Sequence, residues 1–271
     1  MLAFRRKICE DTISRSSSIA SSTPGGSLTS HFIPSQLPPL TKSSPTYPNL
    51  PHSPITIHNS DAFALARLIS TRTSTPSKTG VLNLASDREP GGGWRYTLST
   101  TQEEALCYSS TLYATLNPEW YPWPNMGPGS CAGIISPDVV VFRDTLSNGL
   151  LEFAEQERHV VAVMTVAAPC YPKLTHDKED FADASELEDL RQKIVLVLRM
   201  AAGSGVTRLV LGAMGCGAYG CPPRAVAREM KGVLEGREFE GWFGEVVFAV
   251  YAAGRVGEKN LEVFREVFGA G

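Results

Sequence analysis

Two adjacent carboxylates, Glu103 and Glu104, stand in the run Gln102-Glu103-Glu104, eight residues behind the triple glycine Gly91, Gly92 and Gly93. A pair of acids beside bare backbone suits chemistry on a charged sugar. A carboxyl group can give a proton to a departing oxygen, and backbone without Cβ lets a diphosphate or sugar press against it. Three glycines in a row cost conformational entropy on folding, so either a close ligand or a tight surface turn must require them. The acids have a second reading, because Thr101-x-x-Glu104 has the form of a capping box, with Glu104 reaching back to the Thr101 N–H. Neighbouring helix positions diverge by about 100°, so one carboxylate is expected to face the reactive centre and the other its rim. A second bare loop carries Gly215, Gly217 and Gly220 in GxGxxG spacing ahead of Pro222 and Pro223. It can cradle a phosphate at a helix N-terminus, or it can be only a strand-to-helix turn. A dinucleotide-binding fold fits poorly, because only one strand is expected after it.

The elements that must position these residues alternate. Apolar β-rich runs predict strands at 55–58, 81–85, 139–142, 160–166, 209–212 and 246–250, and helices are expected at 61–70, 101–116, 185–202, 221–234 and 258–268. The helix over 185–202 is the clearest, since Leu187, Leu190, Ile194, Val197, Leu198 and Ala201 recur at three- and four-residue steps. Strands separated by helices predict an α/β fold with a largely parallel or mixed sheet covered on both faces. Ligands in such sheets bind beyond the carboxyl ends of the strands, where both glycine loops fall. Residues 16–54 are rich in Ser, Thr and Pro, lack hydrophobic periodicity and read as a wrap or loose extension.

With 271 residues and 42% hydrophobic content, the chain can bury a large core. A net charge of −3 supplies no basic field for coating nucleic acid, and no apolar run approaches the roughly 18 residues of a membrane span. Cys9, Cys107, Cys131, Cys170, Cys216 and Cys221 form no CxxC and no zinc-spaced cluster, and read as reduced thiols of a cytosolic or nuclear protein. Arg5, Arg6, Lys7 and Arg15 among serines have the composition of a transit peptide, which Glu10 and Asp11 oppose.

The triple glycine, eight residues and then QEE resemble the signature of poly(ADP-ribose) glycohydrolases. The ordered set "VLNLAS", "PGGG", "QEEALCYSSTLY", "IISPDVVVFRD", "VLGAMGCGAYGCPP", "VVFAVY" and "NLEVFREVF" resembles the compact microbial and fungal branch, and "RRKICEDTI" is similar to the short helix ahead of its domain. The resemblance implies a macrodomain-like three-layer α/β/α fold with a mixed sheet over 55–271, preceded over 1–54 by an N-terminal helix and a Ser/Pro-rich extension. It implies hydrolysis of ribose–ribose O-glycosidic bonds to release ADP-ribose, with Glu104 as general acid and then base, and Glu103 holding the ribose hydroxyls. The acid needs a proton near neutral pH. The helix N-terminus opposes this, while desolvation, the bound diphosphate and a charged Glu103 favour it. The resemblance further implies that Gly91, Gly92 and Gly93 lie along the diphosphate and distal ribose, and that Gln102 orients the loop or ligand. Gly215, Cys216, Gly217, Ala218 and Tyr219 would wrap the diphosphate, with Tyr219 stacking beside the sugar or adenine, and Asn83 and Ser86 would meet the distal ribose. No cofactor or metal is implied. The expected partner is ADP-ribose or poly(ADP-ribose) on modified proteins, with no membrane and no sequence-specific nucleic acid. The expected state is a monomer in the nucleus or cytoplasm.

Two departures keep rivals open. Ser86 stands where the family often has Asn, and "WRYTLSTT" is bulkier than the usual linker, so Trp94, Arg95 and Tyr96 either close over the ligand or block a polymer. An ADP-ribose reader with little catalysis and a mono-ADP-ribosyl hydrolase are the alternatives, with an NAD-dependent oxidoreductase as a further one. Trp120, Tyr121 and Trp123 read as core or interface aromatics. His52, His58, His159 and His176 suit ordinary surface or satisfied roles.

Overall fold

The computed structural model describes residues 1–51, 53–71 and 77–269; His52 lies outside them. The elements, in chain order, are α1 (Leu2–Ser22), β1 (His31–Ile33), β2 (Thr56–His58), α2 (Ala62–Ser70), β3 (Lys78–Leu84), α3 (Gln102–Ser109), β4 (Gly133–Val141), β5 (His159–Val166), α4 (Ala184–Gly203), β6 (Val206–Leu211), α5 (Pro223–Leu234), β7 (Glu245–Ala249) and α6 (Gly254–Gly269). Among the described residues the strands form one seven-stranded sheet in the order β1-β4-β5-β3-β6-β7-β2. Strands β5, β3, β6, β7 and β2 run parallel, while β4 and β1 add an antiparallel edge.

Period-2 alternation divides the core in two. Leu82, Met164, Leu209 and Phe248 face α4, α5 and α6 on one side of the sheet. Val81, Val163, Val210 and Val247 face α2 and α3 on the other, where Cys9 of α1 joins them. Near-continuous Val/Leu runs follow from burial on both faces. This is the expected mixed, three-layer α/β/α architecture. Among the described residues no helix is long and apolar enough to cross a membrane.

Four elements depart from the sequence reading. The helix expected over 101–116 stops at Ser109, because the Ser109 and Ser110 hydroxyls donate to the carbonyls of Ala105 and Leu106, and Ser110 turns extended to bridge Val141. Such local bonding competes with the helix ladder. Strand β4 begins at Gly133, well before 139, with its register shifted by a bulge between Ser136 and Val139 that accommodates Pro137. The serine-rich segment is helical up to Ser22: Ser14, Ser16, Ser18, Ser21 and Ser22 donate to carbonyls three or four residues back, and Cys9, Thr12, Ser16, Ile19 and Ala20 form its buried stripe. Further on, His31–Ile33 supplies the sheet's edge strand.

Candidate active site

Strand β3 and helix α3 meet at the carboxyl edge of the sheet. The last pair between β3 and β6 is Val81 with Val210, and beyond it the two strands diverge. Gln102 fills the gap: its Oε1 accepts from Leu84 N at 2.9 Å and its Nε2 donates to Leu82 O at 2.7 Å, taking the place of a missing strand. This fixes the start of α3 against the sheet and turns Glu103 inward. Glu103 is 3% exposed; its Oε2 accepts from Ser86 N at 2.7 Å and its Oε1 from Asn83 Nδ2 at 3.1 Å. Burial pushes its carboxyl up to about 8 despite these two donors. The enclosed acid therefore holds its proton more tightly than a free carboxyl group does.

Glu104 is not used in a capping box. Thr101 occupies the N-cap position without a side-chain cap bond, and its hydroxyl donates to Glu104 Oε2. Glu104 Oε1 accepts from Gly93 N at 2.9 Å, so the carboxyl group faces the glycine loop. The two acids also do not diverge. A Cβ at Gly92 would lie 2.9 Å from Glu104 Oε1 and 3.0 Å from Glu103 Oε2, at a φ of +54°. Both carboxyl groups converge on that glycine, whose bareness and left-handed backbone are needed together.

The second loop leaves β6 on the other side of the cleft. Gly215 has a φ of +75°, and a Cβ there would strike Ala168 and Cys221 at 2.6 Å. Tyr219 is half-buried; its hydroxyl donates to Asp87 Oδ1 at 2.6 Å, and burial pushes its titration upward. A buried polar chain stands behind Asp87. Asn125 Nδ2 donates to Asp87 Oδ1 at 2.9 Å, and Lys193, which has no exposed surface, donates to Asn125 O at 2.6 Å and Ala167 O at 2.9 Å. Burial lowers the Lys193 ammonium to about 8. Asn260 of α6 donates to Cys216 O at 3.2 Å.

Between these walls lies a cleft of about 980 Å³, at the upper end of ligand pockets. Of the residues singled out from sequence, Ser86, Gly92, Gly93, Gln102, Glu103, Glu104, Gly215, Gly217, Ala218 and Tyr219 line it. Asn83, Gly91 and Cys216 do not. Asn83 is buried beneath Glu103, Gly91 packs toward Tyr113 and Cys107, and Cys216 belongs to the core. The linker neither closes over nor blocks the cleft. Trp94 is wholly buried against Tyr113 and Tyr108, while Arg95 and Tyr96 point to solvent outside the lining. Ser86 turns its hydroxyl to the Arg88 N–H at 3.1 Å. Trp123 is buried, Trp120 and Tyr121 half-buried, around Phe32. His159 is held neutral by burial, at about 4. Sequence reading missed Phe4, Arg5, Asp61 and Asn260 in the lining and Asp87, Asn125 and Lys193 behind it. They come from distant segments, and only Lys193 carried a local signal, as a charge on the apolar face of α4.

A family model described as the catalytic domain of microbial-type PARG matches residues 10–144. Among solved structures, poly(ADP-ribose) glycohydrolase from Thermomonospora curvata is 27% identical with a TM-score of 0.75, the match covering 97% of this chain and 98% of that one. The same enzyme bound to the inhibitor ADP-HPD matches with a TM-score of 0.74 and 28% identity, over 97% of this chain and 98% of that one. Poly(ADP-ribose) glycohydrolase from Deinococcus radiodurans in complex with ADP-ribose is 30% identical over 80% of this chain and 84% of that one, with a TM-score of 0.67. No curated protein sequence matches. The likeness thus spans both walls of the cleft and the sheet that carries them, and the chain belongs to the microbial-type poly(ADP-ribose) glycohydrolase family.

Proposed function

We propose that the cleft hydrolyses ribose–ribose O-glycosidic bonds of poly(ADP-ribose), the reaction for which the family is named, and that Glu104 is its general acid and base. The observation that carries this reading is the placement of the Glu104 carboxyl group between Gly93 N–H and the Thr101 hydroxyl, in a cleft that both bare-backbone loops line. Breaking the bond passes through an oxocarbenium-like state, and the departing oxygen needs a proton. Glu104 supplies it. The carboxylate left behind keeps both donors, which stabilise the new charge, and it can then take a proton from the attacking water.

Glu103 holds the ribose hydroxyls from below, its own oxygens fixed by Asn83 and the Ser86 N–H. The loop from Gly215 to Tyr219 wraps the diphosphate, and Tyr219, held by Asp87, flanks the sugar or adenine. The substrate is ADP-ribose polymer on modified proteins. Glu104→Gln is expected to lower polymer cleavage by about 10²–10⁴-fold while ADP-ribose still binds, measured by release of ADP-ribose from purified polymer together with calorimetry. Full activity in that variant would falsify the assignment. Tight ADP-ribose binding by the wild-type chain without cleavage would select the reader. Release of single ADP-ribose units with polymer left whole would select the mono-ADP-ribosyl hydrolase.

A further inference from the structure

The cleft extends past Glu104 to a wall that the proposed chemistry does not use, formed by Phe4 and Arg5 of α1. Helix α1 joins the core on one face of the sheet through Cys9, whereas Met214, Cys216 and Cys221, in and beside the Gly215–Tyr219 loop, belong to the core on the other face. The two walls are therefore opposed, with α3 between them. One turn beyond Arg5, Cys9 Sγ donates to Trp94 O at 3.4 Å, directly after the glycine whose N–H holds Glu104. Arg5 thus stands on the Glu104 side of the cleft, away from the proposed diphosphate cradle.

Its chemistry is unspent. Among the described residues the buried Arg5 Nε has no hydrogen-bond partner. Among the described residues Arg5, Arg6 and Lys7 enter no ion pair, although the chain as a whole is net negative. Arg5 as a whole is half-buried and lines the cleft, so its guanidinium has donors left for an incoming phosphate or ribose oxygen. Phe4, 48% exposed, presents a ring beside it. When a ribose–ribose bond breaks, the departing group is the neighbouring unit's ribose, with its purine and its diphosphate attached.

We propose that Phe4 and Arg5 form a subsite for that departing unit, Phe4 stacking on its purine and Arg5 pairing with its diphosphate, while Arg6 and Lys7 draw in the following chain. The inference rests on the polymer reading of the cleft. It makes α1 a determinant of polymer specificity.

The test compares the full-length wild type with Arg5→Gln, Arg5→Lys and Phe4→Ala. KM and kcat are measured on purified poly(ADP-ribose) at low and high salt, and Kd for free ADP-ribose by calorimetry. Arg5→Gln is expected to raise the polymer KM about tenfold at low salt, with a smaller difference at high salt because screening already weakens the wild-type contact. Arg5→Lys should recover most of the loss, Phe4→Ala should raise KM at both salts, and the Kd for ADP-ribose should stay unchanged in all three. A polymer KM unmoved by Arg5→Gln and Phe4→Ala, in a wild type that cleaves polymer, overturns the subsite alone. So does an equal loss of ADP-ribose affinity, which would place Arg5 in the ADP-ribose pocket. A wild-type chain that binds ADP-ribose but releases none from polymer overturns the reading beneath it and the subsite with it.

Discussion

Glu103 and Glu104 are neighbours in the chain and differ in their surroundings. Glu103 is enclosed by β3 and accepts from Asn83 and Ser86, and burial raises its carboxyl from 4.5 to about 8. A raised folded value means that the folded state holds the proton more tightly than the unfolded chain. The stability this contributes is complete below about pH 4.5 and is lost as pH rises toward and through about 8. The wild type is therefore expected to lose melting temperature between pH 5 and 9, and Glu103→Gln should flatten that fall while weakening ribose binding; thermal melts of both across that range check it. Gly92→Ala places a methyl between the two carboxyl groups in a left-handed conformation. It should cost more than about 1 kcal/mol of stability and lower polymer cleavage, read by denaturant unfolding and ADP-ribose release. The spacing of GGG and QEE made both acids and the glycines legible. The convergence of the acids on Gly92 was not, because it depends on the return path of residues 94–101 around the buried Trp94.

At the scale of elements, the Gln102 amide joins α3 to the diverging edge of β3. Gln102→Ala leaves Leu84 N and Leu82 O without these partners and should destabilise the chain by about 1–3 kcal/mol. Both Glu103 and Glu104 would lose their fixed start of helix, so kcat should fall together with the unfolding midpoint, and the paired measurement tests the link. The polar chain from Lys193 through Asn125 to Asp87 serves the opposite wall. It was illegible in the sequence because α4, the 121–130 loop and the end of β3 are joined only in three dimensions. Helices α2, α4 and α5 were legible from their apolar stripes. The start of α1 was legible only through the resemblance of RRKICEDTI, and its serine-rich second half was obscured, since serines that bond carbonyls leave little apolar periodicity there.

At the scale of the molecule, α1 is fastened to the sheet by one buried cation. Arg143 donates to Thr12 Oγ1 at 2.7 Å and to Tyr108 O at 2.8 Å, and pairs with Asp11. Arg143→Met should cost about 2 kcal/mol by leaving those acceptors unpaired, and it should increase amide exchange along α1 before the rest of the chain. Uniform exchange in the variant would reject that role. A further support lies on the opposite face, where Phe248 packs on Phe264 and Phe268 with centroids at 5.5 Å and 4.8 Å. Phe264→Ala should lower stability by about 3–5 kcal/mol in denaturant unfolding, with little change in ADP-ribose affinity.

By itself the sequence determined the α/β class, the central strands, most helices and the two glycine loops with their acids. Apolar periodicity, bare backbone and the identity of a titratable group are local properties that spacing records. The tertiary structure alone decided which acid is enclosed, that Gln102 completes the sheet edge, that Trp94 leaves the cleft open and that α1 forms one of its walls. Each of those depends on contacts between residues far apart in the chain, where burial and hydrogen-bond partners are set by packing and leave no periodic trace.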